Sequence, residues 1–121
     1  DMKFEVDKQE RVVVVTSKVE KLDALCAPEL KGELVLASKE GHRNMVLDLS
    51  ETRYIDSSGL SAVLIGHRAC RDAKGTFVLC GLQPAVSKLV TISQLDNVLK
   101  IVPTAKEAVD FVFMEEVERD L

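Results

Sequence analysis

Met45-Val46-Leu47-Asp48-Leu49, followed by Ser50-Glu51-Thr52-Arg53 and then Tyr54-Ile55-Asp56-Ser57-Ser58-Gly59-Leu60, is the stretch that decides the fold. The first five residues are apolar but for Asp48 and read as a buried strand. The next four are polar and make a turn. From about Ser57 to Asp72 the apolar residues recur at helical spacing, and the helix is predicted to end before Lys74-Gly75. Phe77-Val78-Leu79-Cys80 then supplies a second strand, closed by Gly81. Strand, turn, long helix and strand make a β-α-β unit, whose two strands lie parallel with a right-handed crossover.

The flanking sequence extends this unit on both sides. Toward the N-terminus, Phe4-Glu5-Val6 alternates like a one-sided strand, and Val12-Val13-Val14-Val15 is a β-branched run expected to be buried on both faces. A helix is predicted from about Leu25 to Lys39, with Cys26, Leu30, Leu34 and Ala37 on one face and Pro28 tolerated in the first turn. Gly41 stops it. Toward the C-terminus, Pro84 opens a short helix to about Ile92, and residues Asn97 to Val102 hold a short strand. Thr104-Ala105-Lys106-Glu107 has the spacing of a capping box, beginning a helix that carries Ala108, Val109, Val112 and Phe113.

The order is β-β-α-β-α-β-α-β-α, which predicts an α/β class with a mixed, mostly parallel sheet and crossover helices. One domain is expected over residues 1–121, with a core from about 3 to 114. The short polar tail that follows holds Glu115-Glu116, read as solvated charge.

The composition narrows the function classes. Apolar residues form 46% of the chain, enough for a core at 121 residues, and the formal charge is −4. The Lys and Arg residues are scattered, so the basic patch that a nucleic-acid binder needs to displace counterions is missing. The longest unbroken apolar stretch near the N-terminus, Val12 to Val15, is far too short to enter a bilayer, and residues 1–5 lack the apolar centre of a signal peptide. Cys26, Cys70 and Cys80 are odd in number and set among apolar neighbours, as suits reduced thiols in a cytoplasmic protein.

Catalytic and cofactor patterns are equally sparse. His42 and His67 belong to no paired zinc spacing, and there is no C-x-x-C. No G-x-G-x-x-G or G-x-x-x-x-G-K-[ST] loop follows a strand, and G-x-S-x-G is absent. Neither an enzyme activity nor a metal or cofactor is expected.

Asp56-Ser57-Ser58-Gly59 stands apart at the start of the long helix. Asp and Ser are favoured caps, because their oxygens accept hydrogen bonds from the free N–H groups of the first turn. The phase of the helix adds a second reading. At 100° per residue Leu60, Val63, Leu64, His67 and Cys70 share one broad face, which should meet the sheet. Ala62, Ile65 and Ala69 lie on another side, and Ser58 falls in line with them while Ser57 points elsewhere. That stripe is either covered by a neighbouring helix or open as a docking face.

On these residues the chain resembles the STAS family, and within it the bacterial anti-sigma factor antagonists. The resemblance is carried by Asp56-Ser57-Ser58-Gly59-Leu60 placed after the strand Met45 to Leu49, and by Leu22-Asp23-Ala24 with Ala27-Pro28-Glu29-Leu30. It implies a serine-kinase anti-sigma factor as partner and a PP2C-type phosphatase that reverses its mark. The unmodified protein would bind the anti-sigma factor and so release a sigma factor. By the family's pattern the phosphorylated position is the second serine, Ser58, with Ser57 as second choice. Asp23 and Asp56 are expected to flank the site, and Ser57, Gly59, Ala62, Ile65 and Ala69 to join them in partner binding. A free monomer is expected. The alternative within the family is a scaffold or transporter-accessory role through protein contacts. One departure is visible: where family members commonly carry a glycine after the second strand, this chain has Thr16-Ser17-Lys18-Val19-Glu20-Lys21, so the loop beside the serine is expected to differ.

Overall fold

A computed structural model describes residues 2–121. The five-stranded sheet has the order β1-β2-β4-β6-β7, formed by β1 (Phe4–Lys8), β2 (Val13–Ser17), β4 (Met45–Asp48), β6 (Phe77–Cys80) and β7 (Lys100–Val102). The β1–β2 pair is antiparallel and every other pair in that sheet is parallel. In the register, Val13 pairs with Met45 and Met45 with Phe77, so the central strands start level. Between these strands run α1 (Ala27–Lys39), α2 (Ser57–Asp72) and α3 (Pro84–Ile92), and α4 (Ala105–Arg119) closes the chain. This is the mixed, mostly parallel α/β architecture that the sequence predicts.

Alternation along the strands divides the core in two. Val13, Val15, Met45, Leu47, Phe77 and Leu79 face α1, α2 and α3, where they pack with Leu30, Leu34, Val63 and Val86. Val46, Val78 and Cys80 face the other way and meet Ala108 and Val112 of α4. Val14 is half-buried against that second layer, so the valine run is covered on both sides as expected. Burying the thiols of Cys70 and Cys80 pushes each up to about 12, well above an ordinary cysteine.

Helix ends follow local chemistry. Gly41 takes φ 96° just beyond α1. Thr104 caps α4, its hydroxyl accepting from the Glu107 N–H at 3.2 Å.

The short strand expected within 97–102 is β7 at Lys100–Val102, after a turn of 3₁₀ helix over Leu95–Asn97 that follows Gln94, which holds φ 61°. The inward side of α4 follows Ala108, Val112 and Glu116, and Phe113 is 43% exposed. The C-terminal tail needs correction. Residues 115–119 are helix, not a tail. Glu116 is buried and not solvated: its carboxylate accepts from Arg43 Nη2 at 2.6 Å, from Arg43 Nε at 3.3 Å, and from Asn44 Nδ2. The structure also adds to the predicted elements. Two further strands of two residues each, β3 (Lys21–Leu22) and β5 (Tyr54–Ile55), pair in parallel as a separate small sheet.

Candidate functional site at the start of the long helix

The β3–β5 pair is what builds the site. Its register sets Lys21 against Tyr54 and Leu22 against Ile55, so one step further Asp23 stands across from Asp56. The Asp56 N–H donates to the Leu22 carbonyl at 3.3 Å, continuing the ladder. Both acids then act on the backbone of the helix that follows them. Asp23 Oδ1 accepts from the Leu25 N–H at 3.0 Å, and the Asp23 carbonyl accepts from the Cys26 and Ala27 N–H groups at 3.1 and 2.8 Å. Asp56, extended at φ −116° and ψ −172°, accepts from the Gly59 N–H at 3.0 Å and is the N-cap of α2.

That cap decides what the serines are for locally. With Asp56 satisfying the third N–H of the helix, Ser57 and Ser58 occupy the first two helical positions and are not the cap. Ser57 is exposed and Ser58 half-buried. Gly59 is buried beneath them: a Cβ there would strike the Leu22 carbonyl and lie 2.5 Å from Ile55 Cγ1. Only a residue without a side chain lets α2 start this close to β3.

The loop at 16–21, where a difference was expected, is stitched to the turn before β5. Ser17 and Thr52 share a buried hydrogen bond of 2.7 Å between their hydroxyls, and Thr52 Oγ1 also donates to the Val19 carbonyl at 2.7 Å. The Glu20 carbonyl accepts from the Arg53 and Tyr54 N–H groups. Lys18 bridges Glu51 at 3.0 Å and Glu5 at 3.7 Å, and these carboxylates hold its ammonium above the ordinary lysine value.

The stripe headed by Ser58 lies along α1. The two helices pack side by side, and Ala62 is only 3% exposed, so the neighbouring helix covers the stripe at that level. Near the N-terminal ends of the helices the seam opens into a shallow groove of about 310 Å³. Ser58, Ser61, Ala62 and Ile65 line one wall, and Ala24, Ala27, Pro28 and Lys31 the other. Ala69 is half-buried further along and does not reach the groove, and Asp23, Asp56 and Ser57 are not among the residues that line it. Leu25, 89% exposed, and Tyr54, 46% exposed, add apolar surface at the same end of the molecule. Sequence reasoning did not single out Leu25, Tyr54 or Lys31. For Leu25 a signal was present: the inward face of α1 begins at Cys26, leaving its neighbour turned out.

The opposite wall of α2 meets the sheet as its phase requires, with Leu60, Val63 and Cys70 buried. His67 is half-buried with its ring edge-on to Phe77, at 6.5 Å and 78°. Burial, then Arg71 and Arg68, lowers its pKa. Among the described residues no group of three His, Cys, Asp or Glu side chains is placed to hold a metal ion, and no helix is long and apolar enough to cross a membrane.

Comparison with known proteins places this geometry. The candidate anti-sigma factor antagonist BtrV of Bordetella bronchiseptica is 39% identical over 79 residues, which are 65% of this chain and just under two thirds (66%) of that protein. A candidate anti-sigma factor antagonist from Thermotoga maritima has the same fold, with a TM-score of 0.83 at 24% identity over 90% of this chain and 93% of that one. The Bacillus cell fate determinant SpoIIAA in its phosphorylated form matches at a TM-score of 0.71 and 22% identity, over 90% of this chain and 98% of that one. The STAS domain model matches residues 3–108, nearly the whole described chain, and with that the chain belongs to the STAS domain family.

Proposed function

We propose that the protein is an anti-sigma factor antagonist: unmodified, it binds a serine-kinase anti-sigma factor through the Ser58 end of α2 and so frees a sigma factor. Phosphorylation of Ser58 ends that binding. The observation that carries this reading is the half-buried Ser58 hydroxyl, relieved of capping by Asp56 and set on the wall of an open, largely apolar groove. The name of BtrV, and the solution of SpoIIAA both as an anti-sigma factor antagonist in unphosphorylated form and in a phosphorylated form, agree with it.

The switch balances chemically and energetically. The γ-phosphoryl group of ATP passes to Ser58 Oγ, the hydroxyl proton leaves to a base on the kinase, and ADP departs. A PP2C-type phosphatase hydrolyses the ester with water, restoring the hydroxyl and releasing inorganic phosphate. The phosphate brings about −1.5 to −2 charges at neutral pH. At a helix N-terminus that charge is favoured by about 0.3–1 kcal/mol, so the domain stays folded. In an interface packed around a neutral hydroxyl the same charge must be desolvated beside Asp23 and Asp56. A hundredfold loss of affinity takes only about 2.8 kcal/mol. The protein acts in the cytoplasm as a free monomer between partners, with no catalytic activity, cofactor or nucleic acid of its own.

The test is phosphosite mass spectrometry after incubation with ATP and the kinase-type anti-sigma factors of the source organism, paired with gel filtration. The expected result is a single phosphate on Ser58 and loss of the complex. A complex that persists after stoichiometric modification of Ser58 overturns the switch.

A further inference from the structure

The groove beside Ser58 contains a single charged side chain, Lys31 of α1. Lys31 is exposed and forms no ion pair among the described residues. Its own helix offers it none: the positions three and four residues away are Ala27, Pro28, Leu34 and Val35, all uncharged. Across the groove stand Ser58 and, one turn on, Ser61. A lysine stem lies readily along apolar surface while its ammonium reaches a polar group, and this groove is apolar around these three side chains.

We propose that Lys31 is the counter-charge of phosphorylated Ser58, drawing the phosphate back into the α1–α2 groove, where the Ser61 hydroxyl donates a second contact. This rests on the assignment of Ser58 as the modified residue. Lys31 is a positioning residue here; it takes no part in phosphoryl transfer. Its consequence is that the modified state does more than add charge. The phosphate fills the groove that the unmodified surface presents, and its contact with Lys31 holds it dianionic at neutral pH, where an unassisted phosphoserine with a second pKa of about 6 still carries a fraction of monoanion. Asp23 and Asp56, whose carboxylates accept from the Leu25 and Gly59 N–H groups, are the acids nearest this helix end, and their charge opposes that shift. The arrangement therefore depends on a cation inside the groove.

The experiment installs phosphoserine at position 58 during synthesis, so that no kinase is needed, and follows the phosphate by ³¹P NMR titration. Three backgrounds are compared: Lys31, Lys31→Met, which keeps the apolar stem, and Lys31→Arg, which keeps the charge. The expected result is a second phosphate pKa lower with Lys31 or Arg than with Met by about half a unit, a gap that narrows in high salt. Phosphoserine placed at 57, off the groove, is expected to titrate alike in all three. Identical titrations at 58 overturn the proposal, and so does an equal dependence on Lys31 at position 57, which would reflect a general field and not the groove. Binding of the same proteins to the anti-sigma factor separates the two levels. A phosphate that abolishes binding but titrates without regard to Lys31 removes only the role of Lys31. A phosphate at 58 that leaves binding intact removes the switch itself.

Discussion

The two ends of the parallel strands are built by opposite rules. At one end, where β4 and β6 begin, Glu116 takes hydrogen bonds from Arg43 and Asn44. Asn44 Oδ1 accepts from the Thr76 N–H at 2.9 Å, and Asn44 Nδ2 donates to the Arg11 carbonyl at 3.0 Å. Arg119 adds a contact to the Thr76 hydroxyl and lies 3.6 Å from Glu116. The polar groups there answer one another. At the other end, Asp23 and Asp56 are spent on backbone N–H groups, while Leu25 and Tyr54 face solvent and Ser58 lines an open groove. The buried charge of the first end is partnered within the chain; at the second, a serine that is not the helix cap stands on a groove whose lining is mostly apolar. A domain of this size can keep an open groove at one end because the far end, and the two packed layers between, carry the stability.

That contrast can be broken experimentally. The largest effect is expected at the open end: Ser58→Asp should weaken anti-sigma factor binding a hundredfold or more, as read by calorimetry, with Tm unchanged. Next, Glu116→Ala should cost about 2 kcal/mol of stability by leaving Asn44 and the Arg43 fork without their acceptor, about 6–10 °C in a thermal melt. Binding at the other end should be untouched. Asp56→Ala removes an N-cap at the open end and is expected to cost about 1 kcal/mol in denaturant unfolding. It is the one variant that should lower both stability and binding, since the cap and the site share that residue.

The smallest effect is a pH limb. Hydrogen bonding from Arg43 comes first in holding the Glu116 carboxyl below its ordinary value of 4.5. A depressed carboxyl contributes stability above its unfolded pKa and loses it as pH falls through the folded one. The acid side of the stability profile should therefore drop below about pH 4.5, and Glu116→Gln should flatten it. An unchanged acid limb in that variant would mean that the network at the closed end is not what acid dissolves.

Legibility in the sequence followed the length of each pattern. The helix α2 was readable over its whole span because sixteen residues repeat one periodicity, and Asp56 declares its start. The strands β3 and β5 were not, because two residues carry no period, yet they alone bring Asp23 beside Asp56. The resemblance to a family supplied the two acids without the reason they meet. Glu116 was misread for a related cause: acids near a C-terminus are usually solvated, and its burial depends on Arg43 and Asn44 far away in the chain. A signal did exist, since Ala108, Val112 and Glu116 continue one inward line at four-residue spacing.

The short parallel pair of Lys21–Leu22 with Tyr54–Ile55 makes the end that carries Ser58 a single transferable unit. Gly59 is pressed on the Leu22 carbonyl, and Glu20 accepts from Arg53 and Tyr54, so neither loop keeps its shape without the other. Anyone exchanging partner preference between members of this fold would have to transplant both segments together. A chimera carrying only the serine-bearing one would inherit the motif on a strand with nothing to pair it, and the acid that should face the second carboxylate would belong to a different protein's surface.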